Sequence, residues 1–313
     1  MENRRENGSR ALWLLWAGAC VLLGISVYYY PLFALSLLVL PAAWAALALY
    51  AHPALLLGCG GGVLLYGLCL GFGLQNSLCV LLLAAPAGVL LWLLQRNRFG
   101  NFQSVVYVAV VLAFGLFCVC CVPDLLQSGD PYASLRAYFA DLPAAFAGTA
   151  LEQTASSVLS RLGDYVPAML YVFAAFYALV NVLLLQRVGT ALQLDLCPLS
   201  PFGTWSVPYG YALGTGGLSV VAALLSFVQD TGYIESLSLL IYEMWALPLM
   251  LGGLNFLYAV LCRRRGRKIR LSAYMLLMGL AMGLLSQVAQ MGLLLLGFAG
   301  VVLRHRAGKE QKG

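Results

Sequence analysis

Long apolar runs, each closed by proline, glycine or a polar cluster, follow one another along almost the whole chain. A helix needs roughly 20 apolar residues to cross the hydrocarbon core of a bilayer. The runs that approach or exceed this length cover 11–29, 31–50, 53–73, 78–94, 105–122, 165–185, 209–228, 236–262 and 271–303. Because they are too long and too uniformly apolar for barrel strands, they predict an all-α, polytopic transmembrane helical bundle of about 8–10 membrane segments.

The composition supports this class of protein. Of the 313 residues, 62% are hydrophobic and 10% are charged, whereas soluble domains carry about 25% charged residues. We therefore expect one integral membrane domain over residues 1–313, surrounded by the lipid bilayer.

The positions of lysine and arginine orient the chain, because these residues concentrate in cytoplasmic loops. The last run, 271–303, is too long for one untilted span and is either one very long helix or a hairpin turning near SQVAQ (286–290). If the N-terminal tail 1–10 is cytoplasmic and this run is a hairpin, 16 of the 18 Lys and Arg residues lie inside. A single helix would instead put the basic tail 304–313 outside. The charges therefore predict a hairpin, with both termini cytoplasmic.

The interval 123–164 is the longest polar stretch and is predicted to be extracytoplasmic. An apolar stripe at helical spacing runs through it and predicts two short amphipathic helices lying on the outer face. The stripe comprises Leu135, Tyr138, Phe139, Leu142 and Phe146, and continues with Leu151, Val158, Leu159 and Leu162. These helices either gate a cavity or fill space at the interface.

The stretch CPLSPFGTWSVP (197–208) is stiff, aromatic and uncharged. Its prolines oppose helix formation and keep the chain extended. With the predicted topology it is a cytoplasmic loop, so Pro201, Phe202, Trp205 and Pro208 are candidates for a surface that docks a partner. The alternative is that its aromatic side chains anchor the protein in the membrane interface.

Glu243 is the only charged residue inside a predicted span, roughly 10 Å along its helix from the span's start. A carboxylate at full depth costs about 2.5–3.5 kcal/mol on insertion scales, so it should face the bundle or a water-filled cavity. We predict a candidate intramembrane polar site of Glu243, Asn181 and Asn255. Gln186, Gln287 and Gln290 are further possible companions. The alternative is a structural hydrogen bond between helices.

Small residues four apart allow two helices to approach closely. Gly58 with Gly62, and Gly67 with Gly71, have this spacing in the third run, and Ala42 with Ala46 have it in the second. These six positions are therefore predicted to pack against other helices.

Several classes of chemistry have no support in the sequence. The glycines lie inside an apolar run without a following lysine, so they do not form a phosphate loop. Eight of the nine cysteines lie in or at the edge of apolar runs and Cys197 opens the proline-rich stretch, and the two histidines, His52 and His305, lie apart at a turn and in a tail. The preference of lysine and arginine for cytoplasmic loops accounts for the basic clusters, so they do not indicate nucleic-acid binding. We expect no enzymatic activity, metal or cofactor.

The chain resembles the YybS-like family of predicted bacterial membrane proteins along nearly its whole length. The resemblance rests on LVLPAAWAALALYAHP, the glycine-rich third run, GVLLWLLQRN, YVPAMLYVFAAFYALVNVLLLQR, CPLSPFGTWSVP and NFLYAVLCRRRG. The family has a loose likeness to the substrate-binding subunits of energy-coupling-factor transporters, which depend on separate ATPase and scaffold subunits. Ala42 and Ala46 resemble the docking motif of those subunits. They lie in the second run, whereas those subunits carry the motif in their first helix.

Two functions remain open at this level. The first is a solute-binding or transport subunit that relies on a membrane coupling subunit and an ATPase for energy. The second is an envelope scaffold that binds partners through its loops and transports nothing.

Overall fold

The computed structural model describes residues 36–50, 73–138, 162–198, 200–228, 232–266 and 268–310, with isolated positions elsewhere. Apart from a short 3₁₀ turn at 36–38, the regular structure in these residues is α-helical and contains no strand. The all-α polytopic prediction is therefore confirmed.

The chain divides into two compact units, Met1–Leu199 and Ser200–Gly313. The first unit contains helices α1 (Leu40–Tyr50), α2 (Gly73–Arg96), α3 (Asn101–Ser128), α4 (Ala133–Tyr138) and α5 (Leu162–Ala191). The second contains α6 (Tyr209–Val228), α7 (Gly232–Arg265) and α8 (Leu271–Glu310). A single domain was predicted, and the boundary between the units falls inside the proline-rich stretch.

Six of the described helices are long and apolar enough to cross a membrane. They are 77–96, 101–128, 166–191, 209–226, 234–265 and 288–306, and α1 belongs to a shorter apolar helix. The predicted runs 11–29 and 53–73 lie almost wholly outside the described residues. Apolar side chains on the surface of α6, such as Leu224 with 60% of its area exposed, suit contact with lipid.

In the first unit, α1 packs against α2 and α5, and α3 packs against α2 and α5. Eight of the 11 residues of α1 are buried, including Trp44 with 2% of its area exposed. Gly88 of α2 faces that tryptophan, and a Cβ there would lie 3.0 Å from the Cβ of Trp44. The small side chain thus allows α1 and α2 to approach closely.

Helix α3 extends six residues beyond the predicted end of its run at 122. It continues through Pro123 and ends at Gly129, whose amide donates to the carbonyl of Leu125. The polar interval therefore begins later than predicted. Of the predicted amphipathic helices, the described residues contain α4, and most of the stripe beyond it lies outside them.

In the second unit, α7 packs against both α6 and α8. The closest approach is between α7 and α8, where Gly253 and Gly297 face each other's helix backbone. A Cβ at Gly253 would overlap the main-chain oxygen of Leu293, and one at Gly297 would overlap that of Leu249. Only glycine fits at these two positions, because no room remains for a side chain.

Helix α8 covers the whole of the last run, and its two halves return to the same part of α7, which is the reversal that the predicted hairpin requires. Residues 271–310 form one helix, because SQVAQ contains no proline or glycine that would end it. The helix nevertheless bends sharply. The hydroxyl of Tyr274 donates to the carbonyl of Leu254 at 2.6 Å, and Leu293 lies against Gly253, the preceding residue. A straight helix would separate Tyr274 from Leu293 by about 28 Å, which these contacts do not permit. The chain therefore turns back between Tyr274 and Leu293.

Candidate functional site

Glu243 lies half-buried in α7 and lines a cavity of about 390 Å³ between α7 and α8. The other lining residues are Tyr242, Ala246, Leu247, Met250, Gln290, Met291 and Leu294. The two helices run parallel here, since Glu243 faces Gln290 and Phe256 faces Gly300 farther along both. The cavity therefore combines one carboxylate and one amide with mostly apolar walls.

The position of Glu243 within a long apolar helix makes this cavity chemically unusual. It belongs to the candidate span 234–265, where an ionised carboxylate needs a polar partner or water. Gln290, in the candidate span 288–306, supplies an amide to the same cavity. Sequence reasoning named Gln290 among the possible companions of Glu243. The described part of the chain contains no group of three or more acidic, histidine or cysteine side chains that would suit a metal.

Asn181 does not line this cavity. It is fully buried in α5 of the first unit. Its Oδ1 accepts from the amide of Ala42 at 2.8 Å, and its Nδ2 donates to the carbonyls of Leu37 and Tyr177 at 2.7 and 2.8 Å. Both amide hydrogens are used, so Asn181 fastens the start of α1 to α5.

Asn255 does not line it either. Twelve residues separate it from Glu243, which is about 18 Å along α7. Its Oδ1 accepts from the amide of Gly203, and its Nδ2 donates to the carbonyl of Trp205. Of the three residues predicted for the polar site, the two asparagines bind backbone groups, and Glu243 shares its cavity with Gln290.

The part of the proline-rich stretch in the second unit is held by side chains of α7 and α8. Arg304 of α8 donates to the carbonyls of Thr204 at 2.9 Å and Trp205 at 2.7 Å, and reaches that of Gly203 at 3.4 Å. Gly203 has a φ of 108°, a conformation that other residues rarely adopt. Arg304 was assigned to a free cytoplasmic tail by the sequence, but α8 continues to Glu310.

Phe202 is half-buried at the centre of an aromatic cluster. Its ring centroid lies 5.2 Å from that of Trp205, 5.3 Å from that of Tyr258 and 6.5 Å from that of Tyr274. The indole of Trp205 donates to the carbonyl of Ser200 at 2.9 Å. Among the described residues of the stretch, Pro198, Pro201 and Thr204 are exposed, while Pro208 is half-buried just before α6.

The predicted packing positions have mixed outcomes. Ala42 and Ala46 are fully buried in α1. Gly62 has no described atom within 4 Å of the place a Cβ would take, and Gly58, Gly67 and Gly71 lie outside the described residues. Close approaches occur at other glycines, among them Gly88, Gly253 and Gly297, which the sequence did not single out.

A second polar cluster, also missed by the sequence analysis, closes one end of the first unit. Gln186 donates to Oδ1 of Asn101 and to the carbonyl of Cys197, both at 2.9 Å. Asn101 donates to the carbonyl of Pro198 at 2.8 Å. These bonds fix the first residues of the proline-rich stretch, so that polar side chains hold both its beginning and its middle.

Comparison with protein families gives one match. The model for the family described as "Predicted membrane protein (DUF2232)" matches residues 18–299. Neither the curated proteins nor the solved structures contain a match to this chain.

Proposed function

The chain belongs to the DUF2232 family of predicted membrane proteins, and we propose that it is a solute-binding subunit of a membrane transport system. The observation that carries the proposal is the cavity of about 390 Å³ that Glu243 and Gln290 line between α7 and α8. Ligand cavities commonly have volumes of about 300–1,000 Å³ and combine apolar walls with a few polar groups.

The lining indicates the class of solute. An ionised Glu243 accepts hydrogen bonds and attracts positive charge, while Gln290 both donates and accepts. Met250 and Met291 supply adaptable apolar contacts. A small solute with a cationic amino group and an apolar body fits this combination.

Transport would require energy from partners. The sequence contains no G-x-x-x-x-G-K motif for ATP, so we propose a coupling subunit and an ATPase as partners. In this proposal both termini are cytoplasmic. The proline-rich loop then faces the cytoplasm, and its exposed residues Pro201 and Thr204 offer a docking surface.

The exchange Glu243→Gln tests the solute site, because glutamine keeps the size of the side chain and cannot ionise. Thermal unfolding of the purified protein would be followed in detergent with a panel of primary amines and cationic amino acids. We expect at least one amine to raise the melting temperature of the native protein but not that of Glu243→Gln.

The control is Glu235→Gln, which removes an exposed carboxylate from the first turn of the same helix. This variant should respond like the native protein. An amine response that survives Glu243→Gln, or the absence of any response in the native protein, would contradict the proposed site.

A second candidate function, an envelope scaffold, is favoured by the rigidity of the proline-rich loop. Asn255 and Arg304 fix its backbone, which lowers the entropy cost of binding a partner. Thr204→Lys would disturb the exposed loop surface without touching the aromatic cluster. Under this alternative, Thr204→Lys should remove a co-purifying protein, whereas Glu243→Gln should have no effect.

A further inference from the structure

The end of α7 and the turn that follows it carry a dense group of exposed cations. Arg263, Arg264 and Arg265 form the last turn of α7, and Lys268 and Arg270 follow before α8 begins. All five are exposed. We call these five residues the basic turn.

The basic turn has a defined conformation. Gly266 ends α7 with a φ of 63°. The hydroxyl of Tyr258 donates to the carbonyl of Ile269 at 2.8 Å, and the amide of Ile269 lies 3.5 Å from Sγ of Cys262. Tyr258 itself packs against Tyr274 and Phe202. These contacts hold Lys268 and Arg270 beside the end of α7, so the cations are presented by a folded turn.

The bend in α8 brings more positive charge to the same end of the unit. Arg304 donates to the loop carbonyls. The positive charge of Arg263 lies close enough to repel its guanidinium. Arg306 is exposed two residues later. His305 stacks on Tyr209 with ring centroids 4.0 Å apart.

Described carboxylates do not neutralise this charge. None of the five cations of the basic turn forms an ion pair with a described residue. The described acidic side chains of this unit are Glu235 and Glu243, and Glu235 lies about 42 Å from Arg263 along α7. Several like charges held close together without counterions favour an external anion.

We propose that the basic turn binds the phosphate groups of anionic lipid headgroups. The cations lie at the ends of the candidate spans 234–265 and 288–306, which is the level of the headgroups. Tyr209, an exposed aromatic residue at the start of α6, suits the same interface. Groups of four to eight cations directly beside a spanning helix bind anionic lipids in this way. This surface is separate from the Glu243 cavity, and its role does not depend on the proposed transport function.

The proposal is tested by native mass spectrometry of the full-length protein in detergent. Phosphatidylglycerol and phosphatidylcholine with identical acyl chains would be added in equal amounts. We expect the native protein to retain phosphatidylglycerol preferentially. The double exchange Arg264→Gln with Arg265→Gln should weaken that preference roughly tenfold, since each cation near the surface contributes to binding.

The matched control is the double exchange Arg96→Gln with Arg187→Gln, which removes two exposed cations from the first unit. It should keep the preference. An equal loss in the control would mean that net charge alone attracts the lipid, and would overturn the proposed site. If the Arg264 and Arg265 variant fails to insert, the pair Lys268→Gln with Arg270→Gln replaces it.

Other ligands are distinguished in the same experiment. Millimolar inorganic phosphate should not displace the lipid, and full displacement would identify a site for free phosphate instead. If the native protein shows no lipid preference but carries an acidic protein that the double variant loses, the surface binds a protein and the lipid proposal is wrong.

Discussion

The guanidinium of Arg304 donates a hydrogen bond of 2.7 Å to the main-chain carbonyl of Trp205, a residue 99 positions earlier in the chain. The same carbonyl accepts from Nδ2 of Asn255. Three parts of the second unit, namely the proline-rich loop, α7 and α8, therefore meet at one carbonyl oxygen. Charged donors make stronger hydrogen bonds than neutral ones, so Arg304 should contribute more than a surface arginine would.

Replacing Arg304 by glutamine should loosen the loop. A hydrogen bond to a charged group contributes about 1.5–3 kcal/mol, which corresponds to roughly tenfold or more in an opening equilibrium. Hydrogen exchange of the amides at 203–206 should therefore accelerate by about that factor. Arg306→Gln, an exposed neighbour, is the control and should leave exchange unchanged. Equal exchange in both variants would show that the loop does not depend on Arg304.

Two glycines of α8, Gly297 and Gly292, differ in the space around them. Replacing each by alanine should therefore change the stability of the protein in opposite directions. Gly297→Ala should destabilise the protein by about 1–3 kcal/mol, because its Cβ overlaps the backbone of α7. Gly292→Ala has open space around the new Cβ and should be neutral or stabilise by up to about 1 kcal/mol. Denaturant unfolding in mixed micelles measures both, and the same sign for both would contradict the packing.

Asn181 predicts a large effect in the first unit. Asn181→Ala removes three hydrogen bonds and leaves the buried amide of Ala42 and the carbonyl of Leu37 without this partner. We expect a loss of about 1–3 kcal/mol in unfolding free energy. Asn97→Ala, which removes one exposed hydrogen bond to Leu93, should cost no more than about 0.5 kcal/mol. Similar losses in the two variants would refute a special role for Asn181.

The bend in α8 can be measured directly. Spin labels at Arg270→Cys and Arg306→Cys, in a background without other cysteines, report the distance between the two ends of the helix. A straight helix would separate these positions by about 54 Å. We expect a much shorter distance by pulsed electron paramagnetic resonance, because both ends contact the loop at 202–205. A distance near 54 Å would disprove the bend.

Much of the architecture follows from the sequence. The runs 78–94, 105–122, 165–185, 209–228 and 236–262 lie within α2, α3, α5, α6 and α7, because an uncharged apolar run of this length satisfies its backbone in lipid only as a helix. Glu243 could be selected for the same reason, since a charge within such a run is costly wherever the other helices lie.

The partners of each residue depended on the tertiary structure. Asn181, Asn255 and Gln290 are all amide side chains within apolar runs. The two asparagines bind backbone groups, whereas Gln290 lines the cavity with Glu243. The sequence could not distinguish them, because hydrogen-bond partners are set by which helices pack together. The turn within α8 was predicted from the basic residues at its ends. Its contacts with α7 through Gly253, Gly297 and Tyr274 were decided only by the tertiary structure.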